Sequence, residues 1–183
     1  MSISMPRGLS LLEILLTMGI STVIFGITIP VMGNFINQNR ISTQVNTLRS
    51  SLELTRSTAI QENQHAVICK SEDGEKCTRK GEWGQGWIVF VDIDHNRRRS
   101  EDERLVQVQA RLPDSTQLKY RAFGSRHYIA YRPMGFTKTN GTFTLCNPSI
   151  PDRAKALILT KTGRVRLSKT LPGEKPIDCE NRG

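Results

Sequence analysis

The apolar run from Leu9 to Ile29 limits what this chain can become more than any other feature. It is 21 residues long. As a helix it would measure about 32 Å, enough to cross a bilayer. It is too long for the apolar part of an ordinary cleaved signal, and no small-residue cleavage site follows it. Hydrophobic residues make up 37% of the chain, which excludes a multi-span membrane protein and predicts one N-terminal span. Arg7 precedes the run, so the positive-inside rule puts residues 1–7 in the cytoplasm. The body of the protein is then outside, in the periplasm or beyond if the cell is bacterial. Glu13 breaks the hydropathy. A carboxylate at that depth is costly and reads as functional, unless the span begins later and Glu13 sits at the interface.

Pro30 stands where a long helix bends or loosens. Beyond it, Ile41, Val45, Leu48, Leu52 and Ala59 recur at spacings of 4, 3, 4 and 7. Arg40, Gln44, Asn46, Arg49, Glu53 and Arg56 fill other positions. This is one apolar stripe on an amphipathic helix. The pattern predicts a single helix from Leu9 to about Gln61. Its first half, 9–36, packs in a membrane or filament core. Its second half, 37–63, lies across a globular domain of residues 64–183.

After Asn63 the period changes to alternation. Ala66–Cys69, Gly86–Val91, Val106–Leu112, Leu118–Ala122, Tyr128–Tyr131, Thr142–Leu145, Ala156–Thr160 and Arg164–Leu167 read as strands. Gly86–Val91 is apolar on both faces and therefore central. Pro113-Asp114, Pro133-Met134-Gly135, Asn140-Gly141 and Thr162-Gly163 are the turn signals. Eight short strands after one long helix predict an α+β fold with two small antiparallel sheets against the helix.

The cysteines number four: Cys69, Cys77, Cys146 and Cys179. Outside the cytoplasm an even count reads as two disulfides, and three pairings are open. Cys69–Cys77 is favoured because it closes a short polar loop, and Cys146–Cys179 because it ties down the tail. Zinc is disfavoured, since neither spacing resembles Cys-x-x-Cys. Asp92, Asp94, Asn96 and Glu103 fall at positions 1, 3, 5 and 12 of an EF-hand-like spacing. Position 6 is Arg97 rather than glycine, Arg97–Arg99 repel a cation, and a strand precedes. The expectation is a charged hairpin loop without metal. His65, His95 and His127 are scattered, and no nucleophile elbow, metalloprotease helix or phosphate loop is present. No cofactor is called for, and the reading is not an enzyme.

Charge is unevenly spread. Residues 1–119 hold 14 basic and 13 acidic groups, a net of +1; residues 120–183 hold 12 and 4, a net of +8. That asymmetry suits a polyanionic partner, or else a basic solvated face. Within the basic third, Thr162-Gly163 predicts a tight turn between Lys161 and Arg164. In the strand that follows, Val165 and Leu167 face the core. Arg164 and Arg166 project together from the other face, with Cα atoms roughly 6.6 Å apart. Lys169 ends the segment. Arginine forks match phosphate oxygens, and glycine beside them leaves room for a backbone to approach. Arg121, Arg126, Arg132, Lys138, Arg153, Lys155 and Lys175 add to the same third.

Three stretches resemble a known family. Gly8 followed by Leu-Ser-Leu-Leu-Glu is similar to the processing site of type IV pilins and type II secretion pseudopilins. Trp83-Gly84-Gln85-Gly86-Trp87-Ile88-Val89-Phe90-Val91-Asp92 resembles a segment of the GspH/FimT branch. Gly163-Arg164-Val165-Arg166 resembles the Gly-Arg-x-Arg motif of the FimT minor pilins. The resemblance implies cleavage by a prepilin peptidase between Gly8 and Leu9, with methylation of the new N-terminus. Leu9 stands where that family usually has phenylalanine. It also implies that Glu13 pairs with the free amine of a neighbouring subunit, which satisfies the buried carboxylate. It further implies a pilin-like fold, an inner-membrane stage before assembly into a pilus, and DNA uptake during natural transformation, with Arg164 and Arg166 on DNA. The expected partner is double-stranded DNA, bound through its phosphates without sequence preference. The alternative is a GspH-like type II secretion pseudopilin, or a structural pilus-assembly subunit without DNA affinity.

Overall fold

The computed structural model describes residues 10–179, and of residues 25–39 the backbone alone. Helix α1 runs Leu11–Gln61. The strands are β1 (His65–Lys70), β2 (Trp87–Asp92), β3 (Leu105–Gln109), β4 (Gln117–Phe123), β5 (Tyr128–Tyr131), β6 (Asn140–Cys146), β7 (Lys155–Leu159) and β8 (Val165–Ser168). The chain divides into two compact units, Met1–Asn39 and Arg40–Gly183.

In the first unit, Leu11, Leu12, Leu15, Met18 and Val23 are each more than 60% exposed. Two of its hydroxyl residues turn their side chains back onto the helix: Ser21 donates to the Thr17 carbonyl, Thr22 to that of Met18. Ser10 accepts backbone bonds from Glu13 and Ile14, so Glu13 lies in the first turn, where a carboxylate suits the helix dipole. Among the described residues no helix is long and apolar enough to cross a membrane. The span expected over Leu9–Ile29 runs onto residues outside the description, and so does the Gly8–Leu9 processing site.

The second unit holds the sheets. One has the order β3-β2-β1-β5, the other β4-β6-β7-β8, and every pairing is antiparallel. The eight expected strands and the two-sheet, helix-backed α+β architecture are all present. The apolar stripe of α1 forms their common floor: Ile41, Val45, Leu48, Leu52 and Ala59 are at most 1% exposed. They join Ile68, Trp87, Val89 and Ile129 of the first sheet, and Leu118, Phe143, Leu145 and Leu157 of the second, in one core. β2 is buried on both faces, as its sequence predicts. Its outer Ile88 and Phe90 pack with Val67 and Cys69 in a second cluster. Disulfides join Cys69 to Cys77 and Cys146 to Cys179, the favoured pairs.

Three local expectations change. β3 ends at Gln109, and Val108 is half-exposed rather than inward. It lies on an edge strand, where one side lacks a neighbour. Leu112 still reaches the core, from a loop fixed by its N–H bond to the Gly84 carbonyl. Asn140-Gly141 is not a turn but the start of β6, paired with Phe123 and Ala122. A Cβ on Gly141 would stand 2.7 Å from the Tyr120 ring, so the glycine gives that ring its seat.

An aromatic trio marks the centre of the second sheet. Tyr120 and Phe143 stack at 4.0 Å between centroids, and Trp83 meets Phe143 edge-on at 5.1 Å. Burial pushes the Tyr120 hydroxyl well above the ordinary tyrosine range. Phe143→Ala should therefore cost about 3–5 kcal/mol, whereas Phe123→Ala, at a residue 86% exposed, should stay within about 0.5 kcal/mol. Urea unfolding of the two variants, followed by circular dichroism, checks the contrast.

Candidate functional site

The turn 160–163 and strand β8 carry the basic segment singled out above. Thr162 and Gly163 form the turn: the Gly163 N–H donates to the Thr160 carbonyl at 2.9 Å, and the Thr160 N–H to the Arg164 carbonyl at 3.1 Å. Gly163 has φ +77°, a left-handed conformation that favours glycine.

The backbone that approaches this glycine is the chain's own. Gly163 is buried, and a Cβ there would stand 2.0 Å from the Gly135 carbonyl oxygen. That carbonyl accepts a bond from Arg56 Nε at 3.1 Å. The neighbouring Thr137 N–H donates to the Lys161 carbonyl at 3.0 Å. Helix α1, the 132–135 turn and the 160–163 turn are thus locked together. Gly163 shapes the site from beneath and offers no open surface to a ligand, which corrects the expectation for it.

Lys161, Arg164, Arg166 and Lys169 are all exposed. Arg164 immediately precedes β8 and Arg166 lies within it. Val165 packs toward the core, but Leu167 is 40% exposed rather than inward. β8 is an edge strand, so beyond it Leu167 has no neighbour to cover it. Ion pairs elsewhere include Arg49–Glu53, Arg104–Glu62 and Arg111–Asp114. Among the described residues no ion pair is seen at Lys161, Arg164, Arg166 or Lys169.

Strand register extends the site across the sheet. Arg166 pairs with Ile158, Ile158 with Thr142, and Thr142 with Arg121. Cross-strand partners share a face, so Arg121 and Arg166 end one row on the outer face. Three strand spacings separate them by about 14 Å. Lys119 is on the same face, and with Arg121, Leu171, Ile177 and the acidic Asp178 it lines a small hollow beside the disulfide-tied tail.

Of the remaining basic residues, some fold away from this row and some adjoin its Arg121 end. Lys155 Nζ donates to the Ser42 hydroxyl of α1. Arg132 and Lys138 lie near His65, which stacks on His95 at 3.9 Å; burial first, and then these cations, lower its pKa. Arg126 joins Arg79, Lys119 and Arg121 around a cavity of about 400 Å³. Arg79 was missed in the sequence because it comes from the charge-balanced part of the chain. No local signal announces it, since only the fold brings it to β4. Trp83 and Tyr120 also border this cavity but are at most 9% exposed. Trp83 is further held by an Nε1–H bond to the Arg126 carbonyl.

The comparisons with known proteins agree with this architecture. The family described as type II transport protein GspH matches residues 44–163. The chain belongs to the GspH family. It is therefore a minor pilin or pseudopilin, of a type IV pilus or a type II secretion system, and its family is one of structural rather than catalytic proteins. Among solved structures, its fold is similar to that of the type IV minor pilin FimU of Pseudomonas aeruginosa. The identity is 18%, the TM-score 0.54, and 73% of this chain and 92% of that chain are covered. It is also similar to the minor pseudopilin EpsH of the Vibrio cholerae type 2 secretion system. There the identity is 12% and the TM-score 0.51, over 70% of this chain and 96% of that one. No curated protein matches the chain in sequence.

The glycines separate structural from surface roles. Gly163→Ala should destabilise by more than about 2 kcal/mol, combining a left-handed backbone with a collision against Gly135. Gly173→Ala, also left-handed at φ +80° but with nothing within 4 Å, should cost only about 1–2 kcal/mol. Thermal unfolding midpoints of the two variants measure the difference.

Proposed function

We propose that this GspH-family chain is a FimT-like minor pilin of a type IV pilus that binds extracellular double-stranded DNA during DNA uptake. One observation carries the reading. Arg164 and Arg166 are exposed and, among the described residues, in no ion pair, on a hairpin braced from below, and Arg121 closes the same row about 14 Å away. Arginine forks at that spacing suit phosphate oxygens along a backbone. No aromatic residue lies in the 161–169 hairpin itself, which favours phosphate contact over base stacking there.

The N-terminal part of the reading rests on sequence. Prepilin peptidase cleaves between Gly8 and Leu9, Glu13 meets the amine of the next pilin subunit, and residues 9–29 anchor the chain in the inner membrane until assembly. The exposed apolar side chains between Leu11 and Ile24 support packing into a filament core. A structural pilus or secretion subunit without DNA affinity would share all of this, so DNA binding is the discriminating property.

Mobility shifts with the full chain in mild detergent test it. Three phosphate contacts, at Arg164, Arg166 and Arg121, predict a log–log salt slope of about −2.7, or roughly a fortyfold loss of affinity between 50 and 200 mM salt. Arg164→Gln with Arg166→Gln should weaken binding at least about tenfold and flatten the slope by about two, with the unfolding midpoint unchanged. Salt-independent binding, or wild-type affinity in the double variant, would sink the idea.

A further inference from the structure

The loop between Asp92 and Glu103 joins β2 to β3, away from the basic row. Asp92, Asp94 and Glu103 each bring one carboxylate oxygen within 4.8 Å of the others. Asp94 is exposed, but Asp92 is 0% and Glu103 4% exposed. Like charges at this spacing repel, and burial removes the solvent that would screen them. Among the described residues no ion pair reaches any of the three.

Backbone amides satisfy part of the cluster. Asp92 Oδ1 accepts from the Arg97 N–H at 3.1 Å. Glu103 accepts from the Ile93 N–H at 2.8 Å and the Ser100 N–H at 3.0 Å. Asp92 Oδ2 is left buried with no hydrogen-bond partner. An orphaned, fully buried carboxylate oxygen is the costliest kind of unsatisfied polar atom, and here it belongs to a side chain that already offers an oxygen to two other carboxylates.

The objections read from the sequence lose their force in three dimensions. Arg97 takes the left-handed turn itself, at φ +62°. Its guanidinium lies over the Tyr128 ring, 5.8 Å from the centroid, and Arg99 Nη1 donates to the Glu75 carbonyl. These two guanidiniums are therefore engaged elsewhere, while Arg98 is exposed, its backbone N–H bonded to Asn96 Oδ1.

We infer that Asp92, Asp94 and Glu103 form a binding site for one hard divalent cation of the calcium class. The three side-chain donors are all oxygen, which suits calcium rather than a thiolate- or imidazole-seeking metal. The cation supplies the partner that Asp92 Oδ2 lacks, cancels the repulsion, and clamps the β2–β3 loop to the end of its strand.

The test uses the full chain in mild detergent, stripped with EDTA and dialysed. Adding 5 mM CaCl2, against NaCl of equal ionic strength, should raise the unfolding midpoint by about 5 °C or more. Titration calorimetry should report one calcium per chain. Asp94→Asn, which removes one of the repelling charges at an exposed position, should have a midpoint in EDTA at or above that of the wild type and bind calcium at least about tenfold more weakly. Glu103→Gln should lose the calcium response altogether. A wild-type midpoint indifferent to calcium, or an equal shift in wild type and Asp94→Asn, overturns the proposal. If Glu103→Gln does not fold, Asp94→Asn alone decides.

Discussion

The apolar stripe of α1 from Ile41 to Ala59 is the contact on which the two sheets depend. A four-stranded sheet with one apolar face is not stable alone in water and must cover that face. Here one helix covers two such faces. Ile68 and Val89 reach it from one sheet, Phe143 and Leu157 from the other, and all are fully buried. The stripe is not purely apolar. Ser51 and Thr55 are also at 0% exposure, and their hydroxyls donate to the Thr47 and Ser51 carbonyls one turn back. Small polar residues thereby occupy the floor without leaving unsatisfied groups. Thr55 also lies within the seven-residue gap between Leu52 and Ala59.

That helix reaches the surface hairpin through a short chain of contacts. Arg56 leaves the helix to bond the Gly135 carbonyl, and Gly163 packs directly against the same carbonyl. Two turns far apart in sequence meet there, each needing a left-handed glycine, at φ +74° and +77°. The exposed arginines thus stand on a backbone fixed by the core rather than on a free loop. Two arginines carried on a fixed backbone order less chain on meeting an anion than two on a free loop would. The interaction that builds the fold also positions the charge.

The strands were legible because alternation and turn residues are local signals, and the two disulfides because loop length favoured one pairing. What the sequence misplaced was decided by neighbours. Val108 and Leu167 alternate correctly but lie on edge strands, where no further strand closes over them. Asn140-Gly141 has the composition of a turn, yet it forms strand because Tyr120 needs the space a side chain would fill. Gly163 was read as an opening toward a ligand, and it is the chain's own Gly135 that fills the opening. The basic segment was recognisable from its spacing, whereas its alignment with Arg121 depends on the register of four strands and could not be read from residues 45 positions apart. The carboxylate cluster was recognisable as a spacing too. Whether its arginines cancelled it was a question of side-chain direction, which only the packing around Tyr128 and Glu75 answers.

Charge along the chain and charge across the surface therefore differ. The net +8 of residues 120–183 does not remain together, since Lys155 folds back to the helix and Arg132 and Lys138 gather near His65. Arg79 moves the other way, from the balanced part of the sequence to the basic cavity beside β4. Meanwhile Asp92, Asp94 and Glu103 concentrate negative charge in one loop of the other sheet, beside Arg97 and Arg99, whose guanidiniums are engaged elsewhere. At physiological ionic strength, fields fall off over about 8 Å. An acidic loop and a basic row on different sheets can then coexist, each attracting ions of opposite sign. What net charge alone left ambiguous becomes local: β8 and β4 hold part of the excess positive charge in one row, a placement that the total does not reveal.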